Sequence, residues 1–335
     1  MSQPLVSILT PFKNVSDYIE QCLNSIINQN YNNWELVIID DHSTDNSFKI
    51  VENLAKSDSR IKLFKNDGDG IIKALQKAFK ESSGDYVTRM DSDDIMAENK
   101  LEVMVNQLKE YGEHHIALGL VKYFSEIVIS NGYAKYEAWL NRLTKAGKNY
   151  SEIYKECVIA SPCWMLHRTD LLACDAFNPN RYPEDYDLTF RFYEQGYKCI
   201  PSNQLLHYWR DYSTRTSRTH KHYAQNYFLD IKLHYFIKLD YNTSRPITIW
   251  GAGFKGKTIA KRLVEKGIAF HWICDNVKKI GKEIYGIKLQ PFEDLKEIIN
   301  PQTIVTVANE IEQKQIVLYF DNLNMKSMVD YFFFC

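Results

Sequence analysis

Three apolar stretches of the chain each run without interruption into a short turn rich in oxygen-bearing side chains, and that repetition restricts the fold more than any other feature. Leu5-Val6-Ser7-Ile8-Leu9-Thr10 ends at Pro11, Phe12, Lys13 and Asn14; Trp34-Glu35-Leu36-Val37-Ile38-Ile39 ends at Asp40-Asp41; Gly84-Asp85-Tyr86-Val87-Thr88-Arg89-Met90 ends at Asp91-Ser92-Asp93-Asp94. Short, nearly continuous apolar runs suit strands buried on both faces, as in a parallel sheet covered by helices. Between the first two runs, Tyr18, Cys22, Ile26 and Ile27 recur at helical spacing, with Ser16 as the expected N-cap. Strand, turn and helix alternate, which predicts an α/β fold whose ligand site lies beyond the carboxyl ends of parallel strands. The three turns are therefore expected to converge on one crevice.

Three carboxylates in one turn raise one another's pKa unless a cation compensates, and hard oxygen ligands suit Mg²⁺ or Mn²⁺, whose open positions substrate phosphates fill. A ligand-free polar turn is the plainer reading of such a cluster taken alone; the two other turns weigh against it. With 41 basic and 42 acidic side chains and a formal net charge of -1, no broad field points to nucleic acid. A length of 335 residues suggests two domains. No apolar run is long enough to cross a bilayer, and the N-terminus lacks the basic and apolar regions of a signal peptide. The seven cysteines are odd in number and form no C-x-x-C pair, the pattern of reduced thiols in a cytoplasmic protein. Cys163 has no motif supplying a partner base, so it is set aside as a nucleophile.

In order and spacing, Ser7-Ile8-Leu9-Thr10-Pro11-Phe12-Lys13-Asn14, Ile38-Ile39-Asp40-Asp41-His42-Ser43-Thr44-Asp45 and Arg89-Met90-Asp91-Ser92-Asp93-Asp94 resemble the inverting family-two glycosyltransferases of the GT-A fold. Glu184-Asp185-Tyr186-Asp187-Leu188 before Arg191 resembles the family's Glu-Asp catalytic segment, and His207-Tyr208-Trp209-Arg210 the Tyr-x-Arg stretch after it. The resemblance covers residues 3 to 217. It implies a mixed, mainly parallel sheet and a metal-dependent hexosyl- or N-acetylhexosaminyltransferase using Mn²⁺ or Mg²⁺. The implied donor is a nucleotide sugar, UDP-linked, and the acceptor a hydroxyl of a glycan or lipid-linked glycan in surface polysaccharide assembly. The implied location is cytoplasmic, with peripheral contact at the inner face of the membrane.

The same resemblance assigns roles. Asp93 and Asp91 are implied for the metal, while Asp94 either ligates or caps the following helix. Asp41 is implied for the uracil edge with Thr10 and Pro11 beside the base and Asn14 in the same donor set; Asp40 suits a brace for the loop. Gly68 and Gly70 let backbone approach the nucleotide, Lys73 or Lys77 reaches the diphosphate, and Arg210 a phosphate. Asp185 is the implied base, in competition with Glu184 and Asp187; Asp187 precedes Arg191 by four residues, the spacing of a helical ion pair. Glu184 and Trp164 are acceptor-side candidates, and the region from Tyr123 to Tyr154, including Trp139, is rich in Tyr and Trp. His42 departs from the family, which most often has Gly there.

Residues 210–222, with Arg215, Arg218 and Lys221, read as a basic loop that closes over the donor or faces the phosphates of a lipid carrier. A helix is expected over 223–239 inside a connector at 218–244. Beyond Arg245-Pro246, Ile247-Thr248-Ile249-Trp250 leads into Gly251-Ala252-Gly253-Phe254-Lys255-Gly256, then a helix, and the strand Phe270-His271-Trp272-Ile273-Cys274 ends at Asp275. Strand, G-x-G-x-x-G, helix, strand and acid in that order resemble a Rossmann-like half-domain over 245–335, with Gly251, Gly253, Gly256 and Asp275 forming its nucleotide-binding loop. Three uses stay open: binding a nucleotide, docking or homo-oligomerisation, and a degenerate scaffold. Two rival functions are a nonenzymatic nucleotide-sugar sensor and an NAD-dependent sugar oxidoreductase. The intact acids disfavour the first. The second lacks a Tyr-x-x-x-Lys pattern after Asp275.

Overall fold

The computed structural model describes residues 3–125, 129–215 and 225–335. The chain separates into two compact units, one of Met1–Asn149 with Val158–His220 and one of Tyr150–Cys157 with Lys221–Cys335. The connector expected at 218–244 thus belongs with the second unit where it is described, and the expected border at 217 lies outside the described residues.

The first unit alternates β1 (Val6–Phe12), α1 (Ile19–Ile27), β2 (Trp34–Asp40), α2 (Ser47–Ser57), β3 (Ile61–Lys65), α3 (Ile71–Glu81) and β4 (Tyr86–Arg89). It continues through β5 (Ile95–Met96), α4 (Lys100–Tyr111), β6 (His115–Leu118), β7 (Leu120–Phe124), α5 (Asn131–Ala146), β8 (Trp164–His167), α6 (Arg168–Ala173), α7 (Glu184–Glu194), β9 (Lys198–Cys199) and β10 (Leu205–Arg210). The main sheet has the order β3-β2-β1-β4-β8-β6-β9; β1 is parallel to β2 and β4, and β8 is antiparallel to β4 and β6. All seven residues of β1 and of β2 are buried, as their continuous apolar patterns require. Pro11 is tolerated in this central strand because the ladder to β4 ends at the Leu9–Arg89 pair, so the missing N–H falls beyond it. A smaller sheet, β5-β10-β7, places β10 beside the acidic turn. Helix α1 begins at Ile19 and not at Ser16, whose amide instead donates to Asp45 Oδ2 at 3.0 Å.

In the second unit, α8 (Gln225–Tyr235) widens into a π turn over Phe236–Asp240, matching the helix expected there. Then follow β11 (Ile247–Trp250), α9 (Phe254–Glu265), β12 (Phe270–Cys274), β13 (Glu283–Ile284), β14 (Ile287–Pro291), β15 (Gln302–Val305), α10 (Glu310–Asn322) and β16 (Tyr331–Phe333), in the sheet order β13-β14-β12-β11-β15-β16. Every pair except β13–β14 is parallel. Residues 150–157 pack within this unit as a strap. Tyr154 stacks on Phe334 at 5.2 Å between centroids, meets Phe236 and Phe332 edge-on, and bonds through its hydroxyl to Asp240. The buried Lys232 donates to the carbonyl of Lys155 at 2.6 Å.

Two glycines of the G-x-G-x-x-G run are fixed by geometry. Gly251 has φ +115, where a side chain is strained, and a Cβ on Gly256 would lie 2.0 Å from the Gly251 carbonyl oxygen. Gly256 therefore lets α9 sit against the end of β11. Gly256→Ala is expected to cost about 2–3 kcal/mol or more, since the obstacle is backbone and cannot swing away. Urea denaturation of the full chain, monitored by hydrogen–deuterium exchange over residues 247–274, checks this; an unchanged midpoint would contradict it.

Candidate active site

The carboxyl ends of β1, β2 and β4 point the same way, because the three strands are parallel and paired in register, Phe12 opposite Asp40 and Leu9 opposite Arg89. The turns after them meet there, as the sequence pattern predicts. Asp41 N donates to the Phe12 carbonyl at 2.8 Å. Asn14 takes φ +51 and its Oδ1 accepts from Thr44 N at 2.8 Å, tying the first turn to the second. Asp40 Oδ1 accepts from Ser43 N at 3.0 Å, the brace expected of it. His42 has φ +62, a region that favours glycine, and its Nε2 lies 2.9 Å from the Gly68 carbonyl. Asp41 is buried, and its Oδ1 accepts from Asn66 Nδ2 at 2.7 Å and from Gly70 N at 2.9 Å, so it fastens the glycine segment with φ +87 at Gly70. Thr10 is fully buried with no partner for Oγ1 among the described residues.

The acids of the third turn divide by environment. Asp94 is fully buried; Oδ1 accepts from Arg210 N at 2.7 Å and Oδ2 shares a hydrogen bond of 2.9 Å with His207 Nε2. It neither caps a helix nor faces outward, and it holds β10 to the turn. Asp93 Oδ2 accepts from the Tyr212 hydroxyl at 2.8 Å, and burial together with Asp94 pushes its carboxyl up to about 7. Asp91 Oδ1 receives two nitrogens of Arg89, Nε at 3.1 Å and Nη2 at 2.9 Å. No group of three His, Cys, Asp or Glu side chains converges among the described residues. Two carboxylates do suit Mg²⁺ or Mn²⁺ when substrate phosphates complete the shell. Asp91 and Asp93 stand in one turn at the carboxyl end of β4, and two hard oxygen donors placed there fit such an ion; burial is the first cause of the raised Asp93 carboxyl, and the buried Arg215 acts against it.

Arg89 also reaches α7: its Nη1 lies 3.0 Å from Glu184 Oε1, and both side chains are buried. Asp185, the next residue, is half-buried; burial and then the Glu184 carboxylate push its carboxyl up to about 7. Asp187 is engaged elsewhere, 2.8 Å from Arg191 Nε, the pairing that their spacing predicts, and 3.4 Å from Arg181 Nη1. The site thus joins Asp91 to the first turn of α7 through one guanidinium.

A glycosyl transferase family 2 model matches residues 7–173. The UDP-Glc:alpha-D-GlcNAc-diphosphoundecaprenol beta-1,3-glucosyltransferase WfgD of Escherichia coli is 34% identical over 201 residues, covering 56% of this chain and 69% of that protein. The chain belongs to glycosyl transferase family 2. A glycosyltransferase of Haemophilus influenzae is 42% identical over 107 residues, and there the match spans 32% of this chain and 43% of the relative. Among solved structures, Staphylococcus aureus TarS 1-349 in complex with UDP-GlcNAc superposes with TM-score 0.53 at 18% identity, covering 77% of this chain and 71% of that one. The mannosyltransferase PcManGT of Pyrobaculum calidifontis, in complex with GDP-Man and Mn2+, gives TM-score 0.52 at 19% identity, covering 71% and 64%. These likenesses establish the GT-A fold for this family 2 chain.

Other expected site residues lie elsewhere. Trp164 is 2% exposed and packs edge-on against Phe192 at 6.0 Å, so it is core and offers no face to a sugar. Tyr123 is likewise stacked on Trp209, at 5.0 Å. Lys77 pairs with Asp67 at 2.7 Å, and Lys73 is exposed with Nζ 3.0 Å from Gln76 Oε1. Arg210 is buried, donates to Gln21 Oε1 and the Asp93 carbonyl, and lies over the rings of Tyr18 and Phe124 at 4.7 and 4.5 Å, which makes it a clamp on the acid turn. The basic loop expected at 210–222 lies outside the described residues from 216 onward. No described helix is long and apolar enough to cross a membrane. All seven cysteines are free, and burial raises the Cys163 thiol, in keeping with its dismissal as a nucleophile. Asn66, Arg89 and Tyr212 are site residues that pattern reading left without a role; the one advance signal was an arginine inside an otherwise apolar strand.

Proposed function

We propose that this family 2 chain transfers a hexose or N-acetylhexosamine from a UDP-linked donor to a hydroxyl of a glycan or lipid-linked saccharide, with inversion, in surface polysaccharide assembly at the cytoplasmic side of a membrane. The observation that carries this reading is the convergence of Asp41, Asp91 and Asp93 on one edge, bridged by Arg89 to the helix turn of Asp185. The UDP-sugar names of WfgD and TarS support the donor class. A Bacillus subtilis relative, the teichuronic acid biosynthesis glycosyltransferase TuaG, 38% identical over 109 residues, supports the setting.

In this mechanism Asp41 and the turns around it hold the base and ribose. Asp91 and Asp93 would hold Mn²⁺ or Mg²⁺, which when bound offsets the charge that builds on the diphosphate. The acceptor oxygen attacks the anomeric carbon from the face opposite the diphosphate, its proton passes to an Asp185 oxygen, and the breaking C–O bond leaves its electron pair on the diphosphate. Glu184 is committed to Arg89 and Asp187 to Arg191, so Asp185 is the acid of this turn best able to receive a proton. The second unit we read as Rossmann-like, on its parallel sheet and the close Gly251–Gly256 approach.

The decisive experiment screens UDP- and GDP-sugars with the full chain for hydrolysis and thermal stabilisation, with Mn²⁺, Mg²⁺ or EDTA. A metal-dependent response to one UDP-sugar is expected. The reading fails if no nucleotide sugar is hydrolysed or bound under any condition.

A further inference from the structure

Arg89 is costly where it stands. Its guanidinium is buried at the end of a central strand, and a buried ion pair gains little over apolar packing once desolvation is counted, while losing one partner is strongly destabilising. Its geometry accounts for its presence. Nε and Nη2 grip Asp91 Oδ1 from one side, and Nη1 grips Glu184 Oε1 from the other, so one rigid planar fork joins the acid turn beside it to a helix residue 95 positions further along the chain. Lysine would offer a point charge, unable to keep both distances at once. The second Glu184 oxygen is buried with no partner among the described residues, so Arg89 is what holds that side chain in place.

We propose that Arg89 is a positioning residue that couples the acid turn to the first turn of α7. Any cation that draws on the charge of Asp91 loosens one half of the fork and tightens the other on Glu184, which settles the turn that carries Asp185. For the transfer reading, on which this purpose rests, donor binding would thereby order the base before the acceptor arrives. The coupling is reciprocal: a change at Glu184 alters how Asp91 is held.

The test is a cycle read by hydrogen–deuterium exchange at residues 184–190 in the full, ligand-free chain. Asp91→Asn is expected to change exchange there by about threefold or more, and to change it little in an Arg89→Met background, the non-additivity expected when the effect of Asp91 reaches α7 through Arg89. Equal effects in both backgrounds, or none in either, overturn the proposal. Arg89→Lys keeps a buried positive charge if Arg89→Met fails to fold; in that background the effect of Asp91→Asn should again be lost. As a second arm, Mn²⁺ with UDP is added. Where calorimetry shows binding, protection of α7 should rise in the wild type and stay flat in Arg89→Lys, and a rise in both overturns the proposal. Should Mn²⁺ with UDP not bind the wild type, the donor reading falls, and the ligand-free cycle still decides the role of Arg89.

Discussion

Asp185→Asn is expected to lower the rate of sugar transfer by about 10²–10⁴-fold while leaving donor affinity within about twofold, the signature of a lost base and not of a lost binding group. The amide keeps the shape of the side chain and its place on α7, so the donor edge is untouched. A base must be deprotonated to act, and the Asp185 carboxyl is pushed up to about 7 by burial and by Glu184. Wild-type kcat should therefore rise with pH up to and through about 7. Glu184→Gln removes the neighbouring negative charge and leaves Arg89 to favour the Asp185 carboxylate, so the acid limb should move to lower pH. An Asp185→Asn variant with normal kcat but weakened donor binding would place Asp185 on the donor side.

Asp93→Ala should abolish the Mn²⁺ dependence of UDP binding and reduce transfer to background. With Asp93 gone, Asp91 is left as the remaining carboxylate of the pair, already shared with Arg89. One carboxylate so engaged is a weak anchor for a hard cation. Titration calorimetry of UDP with Mn²⁺ and with EDTA checks this on both proteins. Wild-type turnover that persists in EDTA would remove the metal role from this turn.

Local pattern carried the sheet and its edge. Apolar runs ending in polar turns, acidic after β2 and β4, marked the three strands because strands buried on both faces read as continuous apolar segments, and parallel strands bring their ends together. The Asp187–Arg191 pair and the Asp40 brace were legible because their partners lie four and three residues away. What escaped was tertiary. Trp164 is flanked by residues that suit a strand or a loop, and its place in β8, between β4 and β6 with Phe192 of α7 against it, is what makes it core. Asp94 stands in the same acidic string as Asp93, and nothing local tells that β10 will cover one and leave the other. Arg89 sits within a segment read as apolar, and its partner Glu184 comes from α7, 95 residues away, so no local pattern gave it a role. Ser16 has no cap role because the helix starts at Ile19, three residues further on, and the Ser16 amide is tied to Asp45 in the turn after β2.

The strap of residues 150–157 makes the second unit discontinuous in sequence. Tyr154 stacks on Phe334 and meets Phe332, while Lys232 holds the Lys155 carbonyl. A gene ending near Asn242 would retain the strap and Phe236 but strip away Phe332 and Phe334, two of the three rings set against Tyr154, although the exposed stretch at Asn242–Ser244 reads as a natural place to cut. A single recombination event there cannot transplant the C-terminal sheet between relatives either, since the recipient must also supply a tyrosine-bearing loop far upstream that fits the same ring cluster. Moving this module into another chain would mean carrying two segments together, and the contacts of residue 154 with residues 332 and 334 are where a mismatch would show.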